Sequence, residues 1–258
     1  MIEPSRWLPA GPNSVRAILT PSELPALEVP DLSEWFNPFL RHFMEESLRA
    51  GGEVLLALEG LTVRGILLVD ATERTGSIFT RSPEVARELY REKGPLPVFS
   101  ELPLGPVREN YDIMSVELPG SGTSYRFAHP VRAAREEDLE SLRRLFAKVY
   151  GRVNERWLLP GSPSSEKCFV VEDTGEVVGA AWLTAVGRHG RLHSLTVLPR
   201  YRRLGIGSDL FHARMIWAGR LGLVRVISEI PETNRPSRSI AAKGGMRPVA
   251  QMFLFSQL

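Results

Sequence analysis

The sequence predicts an α+β protein, a mixed central sheet flanked by helices, laid out as two similar halves in tandem. Three observations carry that prediction. Apolar runs of strand length come three in a row between segments of helical period, not in regular strand–helix alternation. Pro119, Gly120, Ser121 and Gly122 form the clearest linker, close to mid-chain. The same order of elements then recurs on both sides of it. The stretch 54–80, VLLALEGLTVRGILLVDATERTGSIFT, can be laid over 169–197, FVVEDTGEVVGAAWLTAVGRHGRLHSLTV. Both read strand, tight turn, long strand with an internal glycine, turn, strand.

The elements follow in order. Residues 1–30 hold six prolines and little periodicity, an irregular arm. Asn37-Pro38 opens a helix with Phe39, Phe43, Met44 and Leu48 as its apolar stripe, ended by Gly51-Gly52. Strands are predicted at 54–58, 63–69 and 77–80. Ser82-Pro83-Glu84 starts a helix that carries Val85, Leu89 and Tyr90 inward and stops at Gly94. Further strands fall at 97–101 and 111–118. After the linker come a strand at 125–131 and a helix at 137–149, with Leu139, Leu142, Leu145, Phe146 and Val149 at helical spacing. A Gly/Pro/Ser loop near 160–165 precedes strands at 169–172, 177–185 and 192–197. A helix from Gly207, a strand at 224–228, a short helix at 237–243 and a strand at 251–255 complete the second half. Domains are therefore expected at 1–123 and 124–258.

Composition narrows the function classes. With 258 residues, 43% hydrophobic and 24% charged, the chain can bury a sizeable core and is not wholesale disordered. The one cysteine, Cys168, excludes an internal disulfide and a Cys-rich metal site. No apolar run approaches the roughly 20 residues of a membrane span, and the N-terminus has no signal-like apolar core. A cytoplasmic protein with no membrane partner is expected. The net charge of +2 hides an asymmetry: residues 1–123 hold 11 basic and 18 acidic groups, residues 124–258 hold 21 and 12. The basic half suggests an anionic ligand. Its basic residues form no run with interleaved aromatics, so nucleic acid is not the expected partner.

The chemistry concentrates in 192–208, LHSLTVLPRYRRLGIGS. Pro199 breaks a strand, Arg200, Arg202 and Arg203 crowd a turn, and Gly205 and Gly207 open a helix. A strand, a basic Gly-rich turn and a helix N-terminus make an anion site, because the first helical N–H groups are free and the dipole adds partial positive charge. The Walker pattern is absent. The dinucleotide fingerprint fails because Leu210 stands where its third glycine should be.

The pattern Arg-x-x-Gly-x-Gly, met by Arg202, Gly205 and Gly207, fits instead, preceded by Val197-x-Pro199 and followed by Asn234 and Gly245-Met246-Arg247-Pro248. With the opening VRAAREEDLESLRRLF, these residues make the second half resemble the GNAT family, the acyl-CoA N-acyltransferases. The resemblance implies the GNAT fold for 124–258 and a degenerate GNAT-like first half, whose matching segment FTRSPEVARELY lacks the motif. It implies acetyl-CoA as co-substrate and no metal. By resemblance, the backbone N–H groups of Arg203, Leu204, Gly205, Ile206, Gly207 and Ser208 hold pyrophosphate, with Arg202 leading the loop. Leu195, Thr196 and Val197 bind pantetheine and polarise the thioester. Asn234, with Ser237 nearby, contacts the pantetheine arm.

The departures bear on mechanism. Many members carry a tyrosine acid in the helix after Asn234, but that position is Ala241 here; Ser237 or Ser239 could relay a water. Glu229 and His193 are the candidate general bases, with Glu172 weighed beside them and a water chain left open. Cys168 has no evident activating partner, which disfavours an acyl-cysteine route. The reading is transfer of an acetyl or small acyl group from CoA to a primary amine on a small molecule or peptide, by direct attack in a ternary complex. A non-catalytic acyl-CoA sensor is the alternative. Two halves in one chain joined by a short turn favour a monomer over a homodimer.

Overall fold

The computed structural model describes residues 14–18, 21–60, 62–118, 125–151, 153, 158 and 166–256. The predicted linker at 119–122 and the loop at 160–165 lie outside them. Packing divides the chain into Met1–Tyr111 with Gln251–Leu258, and Asp112–Ala250. This division differs from a break at the linker: the end of the chain packs with the first unit, and residues 112–117 pack with the second.

The first unit contains β1 (Ser14–Ile18), α1 (Leu40–Arg49), β2 (Glu53–Glu59), β3 (Thr62–Asp70), β4 (Thr75–Thr80), α2 (Pro83–Lys93) and β5 (Val98–Ser100). The end of β12 (Arg247–Phe255) completes it, Phe255 pairing antiparallel with Val98. The strand order is β1-β2-β3-β4-β5-β12. Neighbours are antiparallel except β4 and β5, which run parallel across α2. Leu55, Leu67, Ile78, Leu89, Val98 and Phe255 share its core. The α2 start caps itself: Ser82 Oγ accepts from the Val85 N–H at 3.3 Å, and Pro83 occupies the first turn.

The second unit holds the end of β6 (Val107–Glu117), then β7 (Val131–Ala133), α3 (Leu139–Tyr150), β8 (Glu166–Asp173), β9 (Glu176–Val186) and β10 (His189–Val197). It continues through α4 (Ile206–Arg220), β11 (Arg225–Pro231), α5 (Arg235–Lys243) and the start of β12. The strand order is β7-β8-β9-β10-β11-β6, with β10 and β11 parallel across α4. Each unit thus has five strands in chain order, one parallel pair in the same place, and a sixth strand that comes from the other half of the sequence. Among the described residues, no helix is long and apolar enough to cross a membrane.

The predicted strand at 125–131 is corrected to coil followed by a strand that begins only at Val131. The reason is a side chain far away in sequence. The Ala128 and His129 N–H groups donate to the carboxylate of Asp209, not to a neighbouring strand, and Tyr125 Oη donates to the same group at 3.0 Å. Pro130 has no N–H to offer.

β9 is the centre of the second unit, because strand side chains alternate faces. Trp182 meets Phe146 of α3, while Gly179 lies under Ile206 and Leu210 of α4. A Cβ at Gly179 would stand 2.8 Å from Ile206 Cγ2 and 3.2 Å from Leu210 Cδ1. Gly179→Ala is therefore expected to destabilise the protein by about 1–3 kcal/mol in urea unfolding, the usual cost of overpacking a close contact. An unchanged midpoint would contradict the packing of α4 on β9.

Candidate active site

The parallel pairing of β10 with β11 stops early. It joins His189–Arg191 to Arg225–Ile227, after which the Ser228 hydroxyl bonds the Leu192 carbonyl at 2.9 Å and the strands part. On its other side β10 shifts register against β9 between His193 and Thr196. Ser194 sits in that bulge at φ +53, an unusual conformation for a residue with a side chain. A bulge frees backbone groups from the ladder and re-aims the side chains around it. Here it does so beside an open seam between parallel strands.

Two cavities meet at this seam. The larger, about 780 Å³, is lined by Leu195, Thr196 and Val197, by Arg202, Arg203, Gly205, Gly207 and Ser208 at the start of α4, and by Asn234, Ser237, Ser239 and Lys243 of α5 and its cap. The smaller, about 180 Å³, lies within the parted strands and is lined by His193, Ser194, Glu229, Arg214, Ala241 and Asn234, among others. The structure therefore brings the loop motif, Asn234 and both candidate bases to one seam. Leu204 is 56% exposed and Ile206 is buried in the core, and neither lines the larger cavity.

The start of α4 is built to meet an anion. Gly205 is its N-cap at φ +95, a left-handed conformation that favours glycine, and Arg203 precedes it at φ +67. Among the described residues, the N–H groups of 203–207 have no backbone acceptor; the first helical bonds run from Ser208 and Asp209 back to Gly205. Asp209, fully buried in the first turn, would oppose an anion, but His129 Nδ1 and three donors from 125–129 hold its oxygens. Arg202, Arg203, Arg235 and Lys243 give the larger cavity a positive lining. Glycine at 207 keeps α4 close to α5: a Cβ there would lie 3.0 Å from Ile240 Cδ1. This combination fits a pyrophosphate.

His193 is oriented from both ring nitrogens. Its Nε2 lies 3.1 Å from Glu166 Oε1 and 3.0 Å from Thr184 Oγ1, and its Nδ1 lies 3.2 Å from Ser194 Oγ. A carboxylate only accepts, so Nε2 carries the proton and Nδ1 offers a lone pair beside the bulge. Burial pushes the His193 pKa below its ordinary value, and Glu166 opposes that fall without cancelling it. Glu229 also reaches the smaller cavity, but Arg191 Nε holds both its oxygens at 2.9 and 3.1 Å. Glu172 is half exposed and paired with Arg132, away from the seam. Cys168 is buried, which pushes its thiol pKa far up and removes the thiolate a nucleophile needs.

Three features were missed in the sequence. Tyr150, the last residue of α3, lines both cavities, and its hydroxyl lies 2.9 Å from Thr196 Oγ1. It supplies a phenol from a different helix than the one searched for a tyrosine. Glu166 and Thr184 orient His193 through a cross-strand pair, Glu166 opposite Thr184. Arg214, in the middle of α4, is 2% exposed and donates to the carbonyls of Leu210, Trp182 and His193. Burial lowers its pKa to about 9, so it keeps its charge at neutral pH. No local pattern marks these residues.

Comparison with known proteins agrees with this geometry. Residues 131–246 match the model of the acetyltransferase (GNAT) family. The GNAT fold extends to solved structures over most of the chain. A GCN5-related N-acetyltransferase from Sphaerobacter thermophilus is 16% identical, covers 95% of each chain and has a TM-score of 0.61. A tandem GNAT protein from the clavulanic acid biosynthesis pathway is 15% identical, with 83% of this chain and 86% of that one covered and a TM-score of 0.56. The Saccharomyces cerevisiae N-myristoyltransferase with bound myristoyl-CoA is 10% identical, with 97% and 84% covered and a TM-score of 0.61. Identities this low show the fold alone. Among curated proteins, none matches the chain.

Replacing Gly205 by valine forces a β-branched residue to φ +95 and turns the loop N–H groups away. Gly205→Val is expected to weaken acetyl-CoA binding at least tenfold in calorimetry, with only a few degrees lost in Tm. Unchanged affinity would show that the α4 start does not hold the ligand.

Proposed function

We propose that the protein transfers an acetyl or other short acyl group from CoA to a primary amine by direct attack in a ternary complex. The observation that carries this reading is the open seam between β10 and β11, bulged at Ser194 and continuous with the N–H-rich start of α4. The pyrophosphate binds the loop 203–207, and the pantetheine arm runs along Leu195, Thr196 and Val197 with Asn234 and Ser237 opposite. The thioester carbonyl lies at the bulge, where free backbone N–H groups stabilise the oxyanion. Holding amine and thioester together supplies proximity.

His193 takes the proton from the attacking ammonium, directly or through Ser194. The C–N bond forms and the C–S bond breaks. Tyr150 gives a proton to the departing thiolate and regains one from the nitrogen as it becomes an amide. The first unit is a degenerate GNAT-like repeat, supported by its matching strand order and its lone parallel pair between β4 and β5. Its self-capped α2, with Glu84 in the first turn, suits no pyrophosphate. It serves as scaffold, and the protein is proposed to act in the cytoplasm as a monomer.

Thiol release from acetyl-CoA, measured with a panel of primary amines, tests the reaction. CoA binding without release for any amine would favour an acyl-CoA sensor. For His193, burial puts the acid limb of kcat below pH 6.5, since a base is lost only as pH falls through its own pKa. In Glu166→Gln the group that raises this pKa is gone, so the limb moves to lower pH. The fixed tautomer is also lost, so kcat falls about tenfold to hundredfold. A limb that does not move, or a His193→Ala variant with full kcat, would remove His193 from the mechanism.

A further inference from the structure

Among the described residues, four charged side chains are buried: Asp112, Asp138, Asp209 and Arg214. Each of the three acids contacts a side chain that can carry the opposite charge. Arg238 meets Asp112 at 2.6 Å, Arg132 meets Asp138 at 2.6 Å and His129 meets Asp209 at 2.8 Å. Arg214 has none. Its three hydrogen bonds go to backbone carbonyls through Nε and Nη1. Its Nη2 amino group takes part in none of them. Arg214 lines the smaller cavity. Backbone carbonyls alone would be satisfied by a neutral donor and need no buried cation.

The other charge in that cavity does not serve Arg214, because Glu229 is held by both oxygens on Arg191. Phe211 lies beside the guanidinium, its ring centroid 6.0 Å away, and keeps that side apolar. The remaining polar lining, from His193, Ser194, Ser228, Asn234 and Ser237, is neutral. A guanidinium edge facing such a space is matched by a planar anion that accepts at one or both oxygens. A cavity of about 180 Å³ is close to one that admits a benzene ring, so the anion is on a short chain.

We infer that Arg214 receives a carboxylate: one of the two reacting molecules, the acyl-CoA or the amine acceptor, carries a carboxylate on a short chain that seats in the smaller cavity against Nη2. This rests on the acyl-transfer reading. It adds a substrate class, either a dicarboxylic acyl group such as malonyl or succinyl, or an amine that is itself an amino acid.

Two panels on the full chain separate these sources. Calorimetry compares free CoA, acetyl-CoA, malonyl-CoA and succinyl-CoA. Initial rates of thiol release compare amines that differ by one carboxylate, lysine against cadaverine and β-alanine against ethylamine. At least a tenfold preference for the carboxylate-bearing member is expected in one panel, and the panel names the source. Arg214→Gln is expected to bring that preference within twofold. If Arg214→Gln does not fold, Arg214→Lys keeps a cation without the forked edge, and the preference must fall at least threefold. Flat preferences in both wild-type panels, or a preference that survives loss of the fork, would overturn the inference. Failure of free CoA to bind would instead overturn the acyl-transfer reading, and this one with it.

Discussion

Three backbone-paired residues on each strand hold β10 and β11 together, and their separation beyond Arg191 and Ile227 governs everything at the site. A parallel pair buried under helices would ordinarily continue its ladder, because unpaired backbone groups are costly away from water. Here the ladder is replaced piece by piece. Ser228 bonds the Leu192 carbonyl, Arg191 clasps Glu229 across the gap, and Arg214 takes the carbonyls of Trp182 and His193 from the α4 side. The Ser228 and Arg214 bonds satisfy backbone carbonyls while leaving the space between the strands open. The seam is held apart by side chains that close other parts of the accounting.

Charge is arranged around that opening with few contradictions. The only acid in the first turn of α4 has its oxygens turned to donors from 125–129, away from the open N–H groups of the helix start. The opposite arrangement occurs at α2 in the first unit, where Ser82 and Glu84 occupy the equivalent position. Similar element order therefore accompanies opposite chemistry at the two helix starts. That contrast comes from a handful of residues, not from the frame. Arg214 adds a second, deeper cation beyond the loop, and His193 lies near it with its lone pair directed by Glu166.

What the sequence disclosed follows the range of each signal. Strand alternation, Gly-Gly and Pro-Gly punctuation and the Ser82 helix start act within a few residues, and most predicted elements match the observed ones within a few positions; β1 (Ser14–Ile18) falls in the arm read as irregular. The basic Gly-rich loop was legible because its chemistry is contiguous. Residues 125–130 were misread as strand because the group that claims their N–H donors is Asp209, 80 positions away. Tyr150 falls one residue past the predicted helix, and no motif singles out Arg214. Their meaning depends on the cavity they meet, which no local pattern encodes. The pairing of the last strand with β5 had no sequence signal for the same reason.

The central claim is that the seam and the α4 start bind one ligand together. Amide hydrogen exchange with and without acetyl-CoA tests it most directly, because it reads backbone N–H groups one segment at a time. The account expects exchange at 195–197 and at 203–207 to slow together on adding acetyl-CoA, with 82–85 in the first unit unchanged. Protection at the α4 start without protection at 195–197, or none at either, would contradict it.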